Sequence, residues 1–153
     1  MYVLNIMDKK QKIIIRNSKK APKPIGNYPH SVEVNNMLFI SGIGPRNLKD
    51  NYISGNVYDL NKKLISYDIE KQCHAVFKNI NSILTEANLS WNNLVDITVF
   101  LTNMKKDFDI FNNVYKEYFK NSHACRTTIE VNKLPTDIAI ELKCIAVIME
   151  KDG

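Results

Sequence analysis

The sequence predicts an α+β fold in which two helices cover one face of a mixed β-sheet. Two stretches repeat apolar residues at intervals of three and four, whereas shorter stretches alternate in polarity and are rich in β-branched residues. The two kinds are interleaved as β-β-β-α-β-α-β-β. At 153 residues the chain has the size of one domain, expected over residues 11–150 behind an N-terminal extension of residues 1–10.

The run QKIIIRN, Gln11 to Asn17, is a short β-type segment. Prolines and a glycine make the following KKAPKPIGNYPHS an irregular, extended loop. Ser31 to Val34 and Met37 to Gly42 flank Asn35-Asn36, and because asparagine tolerates positive φ, this reads as a tight hairpin. Pro45 to Tyr67 is a polar, aperiodic excursion, long enough to be functional or mobile.

The first helix is read from DIEKQCHAVFKNINSILTEA, where Ile69, Cys73, Val76, Phe77, Ile80, Ile83, Leu84 and Ala87 form one apolar stripe. Asp68 and Glu70 stand at its start, where the helix dipole favours negative charge. In LVDITVFLT, Val95, Ile97, Val99 and Leu101 are expected on one face and Asp96, Thr98, Phe100 and Thr102 on the other. The helical period returns from Asp107 to Phe119 through Phe108, Phe111, Tyr115 and Tyr118. Two final strands, CRTTIEV and IAIELKCIAVI, are joined by the turn NKLPTD. With both helices on one face, the other is expected to carry Arg126, Thr128, Glu130 and Glu141 among apolar side chains, a surface suited to cover by further subunits.

Composition narrows the class. Apolar residues make up 44% and charged residues 24%, as in a globular protein, and no run of about 18 apolar residues predicts a membrane span. The start, MYVLNIMDKKQK, has too short an apolar run for a secretory signal, and its Asp8 suits a transit peptide poorly, so a cytoplasmic location is expected. Three widely spaced cysteines, Cys73, Cys125 and Cys144, read as reduced thiols. Cys73-His74 lacks a second ligand pair, so no metal and no cofactor are expected. The net charge of +5 is spread out, with Lys9, Lys10, Lys12, Arg16, Lys19, Lys20 and Lys23 crowding the first part of the chain. That pattern reads as a solvated surface and a basic arm before it reads as nucleic-acid recognition.

Arg126 stands out because only Arg16, Arg46 and Arg126 are arginine among 21 basic residues. From the residues alone it is either a ligand-binding group or one half of an ion pair with Glu130, two pleats along the strand. Glu141 is either a site carboxylate or a polar residue of an edge strand. Tyr28 could cap the core beneath its proline loop and Asn112 could lie on a helix surface. His30 is a packed or solvent histidine unless its place beside Tyr28 brings it into a cleft.

The segments APKPIGNYPHSVEV, FISGIGPR, DIEKQCHAVFKNINSIL, LVDITVFLTNMKKDFDIFNNVYKEYF and CRTTIEVNKLPTDIAIELKCIAVI together resemble the YjgF/RidA family of imine and enamine deaminases, also named L-PSP or translation-inhibitor endoribonuclease. The resemblance runs from about Lys12 to Ile148. It implies a chorismate-mutase-like α+β fold assembled as a homotrimer, with the three sheets forming a central barrel and ligand clefts between neighbouring subunits. By position it assigns the family's ligand arginine to Arg126 and its cleft glutamate to Glu141. Tyr28, Ser41, Gly42 and Asn112 fall on further substrate-binding positions, and Thr128 stands where the family commonly has a cysteine. GNYPH in place of GPYSQ, SGIG in place of SGQI, the RTT triplet and the inserted segment near Tyr52 to Leu64 look more like the 2-aminomuconate deaminase branch.

The implied chemistry fits these residue types. A guanidinium grips a planar carboxylate with two parallel hydrogen bonds, where an ammonium offers a point charge. Imine hydrolysis needs a water at the C=N carbon and a proton at nitrogen, which is general acid–base work for Glu141. The Ser41 hydroxyl and the backbone near Gly42 are expected to hold the remaining polar atoms. Cys125 could be activated beside Arg126, but adjacent strand residues face opposite ways. Cleavage of single-stranded RNA is the alternative activity, and a ligand-sensing or chaperone-like trimer is a non-catalytic one. RNA cleavage would want histidines and a ladder of aromatic and basic residues, and none accompanies Tyr28 and His30 along the sequence.

Overall fold

The computed structural model describes residues 12–149, so the expected extension over residues 1–10, with Lys9 and Lys10, lies outside them. Its eight strands are β1 (Ile14–Arg16), β2 (Ser31–Val34), β3 (Met37–Ile43), β4 (Val57–Tyr58), β5 (Leu64–Ser66), β6 (Leu94–Leu101), β7 (Cys125–Glu130) and β8 (Ile140–Val147). Its helices are α1 (Ile69–Glu86) and α2 (Met104–Tyr118). Six strands form one sheet in the order β1-β2-β3-β8-β6-β7. Only β6 and β7 pair in parallel, through α2 as the crossover, while β2, β3, β8 and β6 pair antiparallel with their neighbours. Both helices pack on the same face, over a core that joins α1, α2 and the inward residues of β3, β6 and β8.

Local chemistry accounts for most of these elements. Asn35 and Asn36 take φ of 49° and 59° in the β2–β3 turn, the left-handed pair that a two-residue hairpin requires. Asp68 caps α1 by accepting from the Lys71 N–H, and the stripe from Ile69 to Leu84 is buried as the periodicity predicts. The second helix begins three residues before the expected Asp107, because the Asn103 side chain accepts from the Lys106 N–H and starts the first turn. Its first turn is anchored by fully buried Asp107, whose Oδ2 accepts from the Tyr67 hydroxyl at 2.8 Å. Burial lifts the Asp107 carboxyl above its ordinary value.

Three expectations are corrected. The excursion from Pro45 to Tyr67 is not free of structure: β4 and β5 form a small antiparallel sheet within it. Its registration is polar and long-range. The Gln72 amide donates to Asn56 Oδ1 at 2.7 Å and accepts from the Ala139 N–H at 2.8 Å, and the Asn56 amide donates to the Asp137 carbonyl. In β6 a bulge at Val95 shifts the alternation, so Leu94 enters the core and Val95 is 40% exposed. Finally, β8 lies inside the sheet between β3 and β6, which makes the edge-strand reading of Glu141 untenable.

Gln72 is fully buried, and replacing it by leucine strands the Ala139 N–H and the side-chain Oδ1 of Asn56 together. The Gln72→Leu variant is expected to lose about 2 kcal/mol, read as a lower urea midpoint with an unchanged denaturant slope.

Candidate active site

Strand parity decides which of the singled-out residues can meet. Arg126 pairs with Ile97, Thr128 with Val99 and Glu130 with Leu101, and those three β6 partners are buried under the helices. Arg126, Thr128 and Glu130 therefore face the helix side. Glu141 pairs with Phe100 and Lys143 with Thr98, so both face the side without helices. The expectation that all four residues share the uncovered face is thus corrected: within one chain the sheet separates Arg126 from Glu141.

On the helix side, the Arg126 guanidinium lies over the Tyr115 ring at 4.7 Å and the Phe111 ring at 5.2 Å. These two aromatics were read from the sequence only as core residues of α2. Stacking holds the guanidinium by its face and leaves its N–H edges available, since it makes no ion pair among the described residues. The ion-pair reading fails because Glu130 is used elsewhere: its Oε2 accepts from the Met104 N–H at 2.6 Å. Thr128 Oγ1 is buried without a hydrogen-bond partner among the described residues. Asn112 follows Phe111 on α2, one turn before Tyr115, and is half-buried. Arg126 and Thr128 thus share the helix-side face of β7, and Asn112 lies on the neighbouring helix α2.

On the opposite side, Tyr28, Ser41, Gly42 and Glu141 line one open concavity of about 490 Å³ with Phe39, Pro135 and Lys143. A bulge in β3 builds it. Ile40 pairs with Cys144 and Ile43 with Leu142, so Ser41 and Gly42 together oppose Lys143. The extra residue brings Gly42 against Glu141, where a Cβ would overlap Oε1 and stand 2.9 Å from Cδ. Glycine is needed here for close approach. Burial raises the Glu141 carboxyl above its ordinary value.

The Ser41 hydroxyl donates to the Pro29 carbonyl at 2.7 Å, and the Ser41 N–H donates to the His30 carbonyl at 2.9 Å. Its proton is therefore engaged in fixing the Tyr28 loop, leaving lone pairs for any ligand. Tyr28 is 44% exposed at the mouth and does not cap the core. His30 is packed: Nδ1 accepts from the Ser18 N–H at 3.0 Å, and Nε2 lies 2.9 Å from the Pro22 carbonyl. Both contacts are met by the tautomer with hydrogen on Nε2, so His30 is a strut behind the loop. Cys125 is exposed on the face opposite Arg126. Burial pushes the Cys73 and Cys144 thiols up to about 12. Among the described residues no three His, Cys, Asp or Glu side chains gather as a metal site, and no helix is long and apolar enough to cross a membrane.

A carboxyl whose folded value is raised binds its proton more tightly in the folded state. Its contribution to stability is therefore lost as pH rises from the ordinary glutamate range through the raised value. Glu141→Gln is accordingly expected to be more stable than the parent near pH 7, with the difference closing toward about pH 4. Urea titrations of both proteins across that range measure it.

The family model Endoribonuclease L-PSP matches residues 18–148. A RutC family protein of Pyrococcus abyssi is 37% identical over 129 residues, covering 84% of this chain and 92% of that protein. Among solved structures, Escherichia coli TdcF with bound serine superposes with a TM-score of 0.73 at 30% identity, covering 88% of this chain and 98% of that one. RidA from a Psychrobacter species gives a TM-score of 0.74 at 26% identity, covering 86% and 97%. From the bulged strand to the two crossover helices, the chain is a member of the endoribonuclease L-PSP family, the group that includes the YjgF and RidA proteins.

Proposed function

We propose that the protein is a deaminase that hydrolyses small carboxylate-bearing imines or enamines to the keto acid and ammonia, with its site completed between subunits of a homotrimer. The observation that carries this reading is the division of the site. One face holds an unpaired guanidinium beside an orphaned hydroxyl, and the other holds a raised carboxyl in a concavity. Neither is sufficient alone. The uncovered face also exposes Phe39, Val95 and Ile129, which favours burial against copies of the same chain.

In the assembled site, Arg126 of one subunit binds the substrate carboxylate, and Thr128 Oγ1 and Asn112 meet its remaining polar atoms. The concavity of the neighbour supplies Glu141, which positions water at the C=N carbon and passes a proton to nitrogen as ammonia leaves. An enamine is first protonated at carbon. Tyr28 closes the mouth over the ligand. The excursion reaches this rim: Arg46 lines a small hollow shared with Tyr28, Ser41 and Gly42, and Ile53 packs on Leu134 and Ile138. We assign residues 47–66 to the choice between a short imine and a longer aminomuconate-like acid. TdcF, a structural relative, holds serine, an acid of the size this grip suits. RNA cleavage is disfavoured because both ring nitrogens of His30 are engaged.

The decisive assay is ammonia release from 2-iminopropionate-type intermediates generated by a dehydratase. Arg126→Lys is expected to lower kcat/KM about 10- to 100-fold, the loss of one bidentate charge-assisted contact. Gly42→Ala is expected to fold within about 1 kcal/mol of the parent, because the far end of a flexible side chain can move aside, yet to lose turnover as Glu141 is displaced. Co-refolding inactive Arg126→Ala with inactive Glu141→Gln should restore about a quarter of the sites if the two residues act across an interface. Absence of ammonia release by the parent, or no recovery on mixing, contradicts the activity or the division of the site respectively.

A further inference from the structure

Among the described residues that line the Glu141 concavity, two are charged, Glu141 and Lys143. The proposed hydrolysis uses the first and leaves the second without a task. Alternation puts both on the face of β8 without helices, about 6.5 Å apart along the strand. Lys143 pairs with Thr98 of β6 on one side and faces the β3 bulge at Ser41 and Gly42 on the other. It therefore stands inside the sheet, between two neighbouring strands.

Its ammonium is uncommitted. Glu141 lies two residues along the strand, and Asp96, which pairs with Ile145, is the diagonal neighbour on β6. Lys143 nevertheless makes no ion pair and no hydrogen bond among the described residues. On an open surface such a lysine would simply be solvated. On a face covered by neighbouring copies, as proposed above, a cation stripped of water needs an anion. The remaining walls include the apolar side chains of Ile25, Val32, Phe39 and Pro135, which suit a methylene chain. The hollow of about 490 Å³ falls in the range of sites that take ligands larger than a pyruvate-sized imine.

We propose that Lys143 selects imines whose side chain ends in a second carboxylate, of the kind formed from glutamate or aspartate. This selection rests on the deaminase reading above and names its substrate class. Arg126 of the neighbouring subunit takes the carboxylate beside the C=N carbon, and Lys143 meets the carboxylate at the far end of the chain. Water adds at the C=N carbon and ammonia leaves as for a short imine, so the second carboxylate takes no part in bond making. A point charge suffices at that end, because a carboxylate on a rotatable chain needs attraction more than fixed direction. Without Lys143 the concavity would offer an incoming anion only the Glu141 carboxyl. Length and charge are then governed separately, the first by residues 47–66 and the second by β8.

Binding is read first, without turnover. Calorimetric titration of the full chain with glutarate and with pentanoate, acids of equal carbon number, is expected to show glutarate held about 10- to 100-fold more tightly, the scale of one charge-assisted contact. Lys143→Met should abolish that preference, Lys143→Glu should reverse it, and Lys143→Arg should keep most of it. Turnover is read second, as ammonia release from 2-iminoglutarate and 2-iminopentanoate made by an amino-acid oxidase. The ratio of their kcat/KM values should follow the same order across the variants. Equal affinity of the parent for the two acids, or a preference that survives Lys143→Glu, overturns the proposal. Equal weakening of both acids in Lys143→Met, with loss of subunit association on gel filtration, assigns the lysine to the interface and overturns it too. A preference for glutarate without ammonia release from any imine overturns the deaminase reading alone and upholds the dicarboxylate grip.

Discussion

The register of β8 between β3 and β6 is the constraint on which the remainder of the site depends. Ile140, Leu142, Cys144 and Ala146 are all buried toward the helices, so the hydrophobic core admits one phase of this strand. A slip of one residue would put Glu141 and Lys143 into that core at a cost of burying two charges. The carboxylate is therefore aimed by the packing of its neighbours. The β3 bulge is the local adjustment that lets a backbone without a side chain pass close beside it.

The arginine is aimed by a different means. Edge strand β7 has little buried surface of its own, and what orients Arg126 is the pair of α2 rings beneath it. Those rings reach their positions because α2 is anchored at its first turn by Asn103 and the Tyr67–Asp107 contact. A polar anchor at one end of the helix thereby sets the stacking platform along its length. The pairing of rigid aromatic faces with a planar cation retains direction where a flexible lysine would not.

How legible this was in the sequence varied with the kind of signal. The stripe of α1 and the Asn35-Asn36 hairpin were readable because a helical period and a two-residue turn are local properties. The bulge at Val95 was not, since Leu94 and Val95 are both apolar and only the pairing partner shows which of them enters the core. The face of Arg126 was misjudged for a related reason. In CRTTIEV neither alternate set is strongly apolar, so nothing local says which set lies under the helices. The roles of Gln72, Asn56 and His30 depend on contacts between distant segments and have no local trace. The nearest available hint was compositional: a glutamine amid the buried positions of a helix is costly unless it has partners.

The placement of the guanidinium and the carboxyl on opposite faces of one sheet has a kinetic corollary. A freshly made, solitary subunit holds both groups but cannot bring them to one molecule, whatever its internal motions, because the sheet stands between them. Under the proposed reading, in which the centre is completed between copies, the onset of turnover would follow their encounter and rise more steeply than linearly with their abundance. Dilution would silence it without unfolding anything.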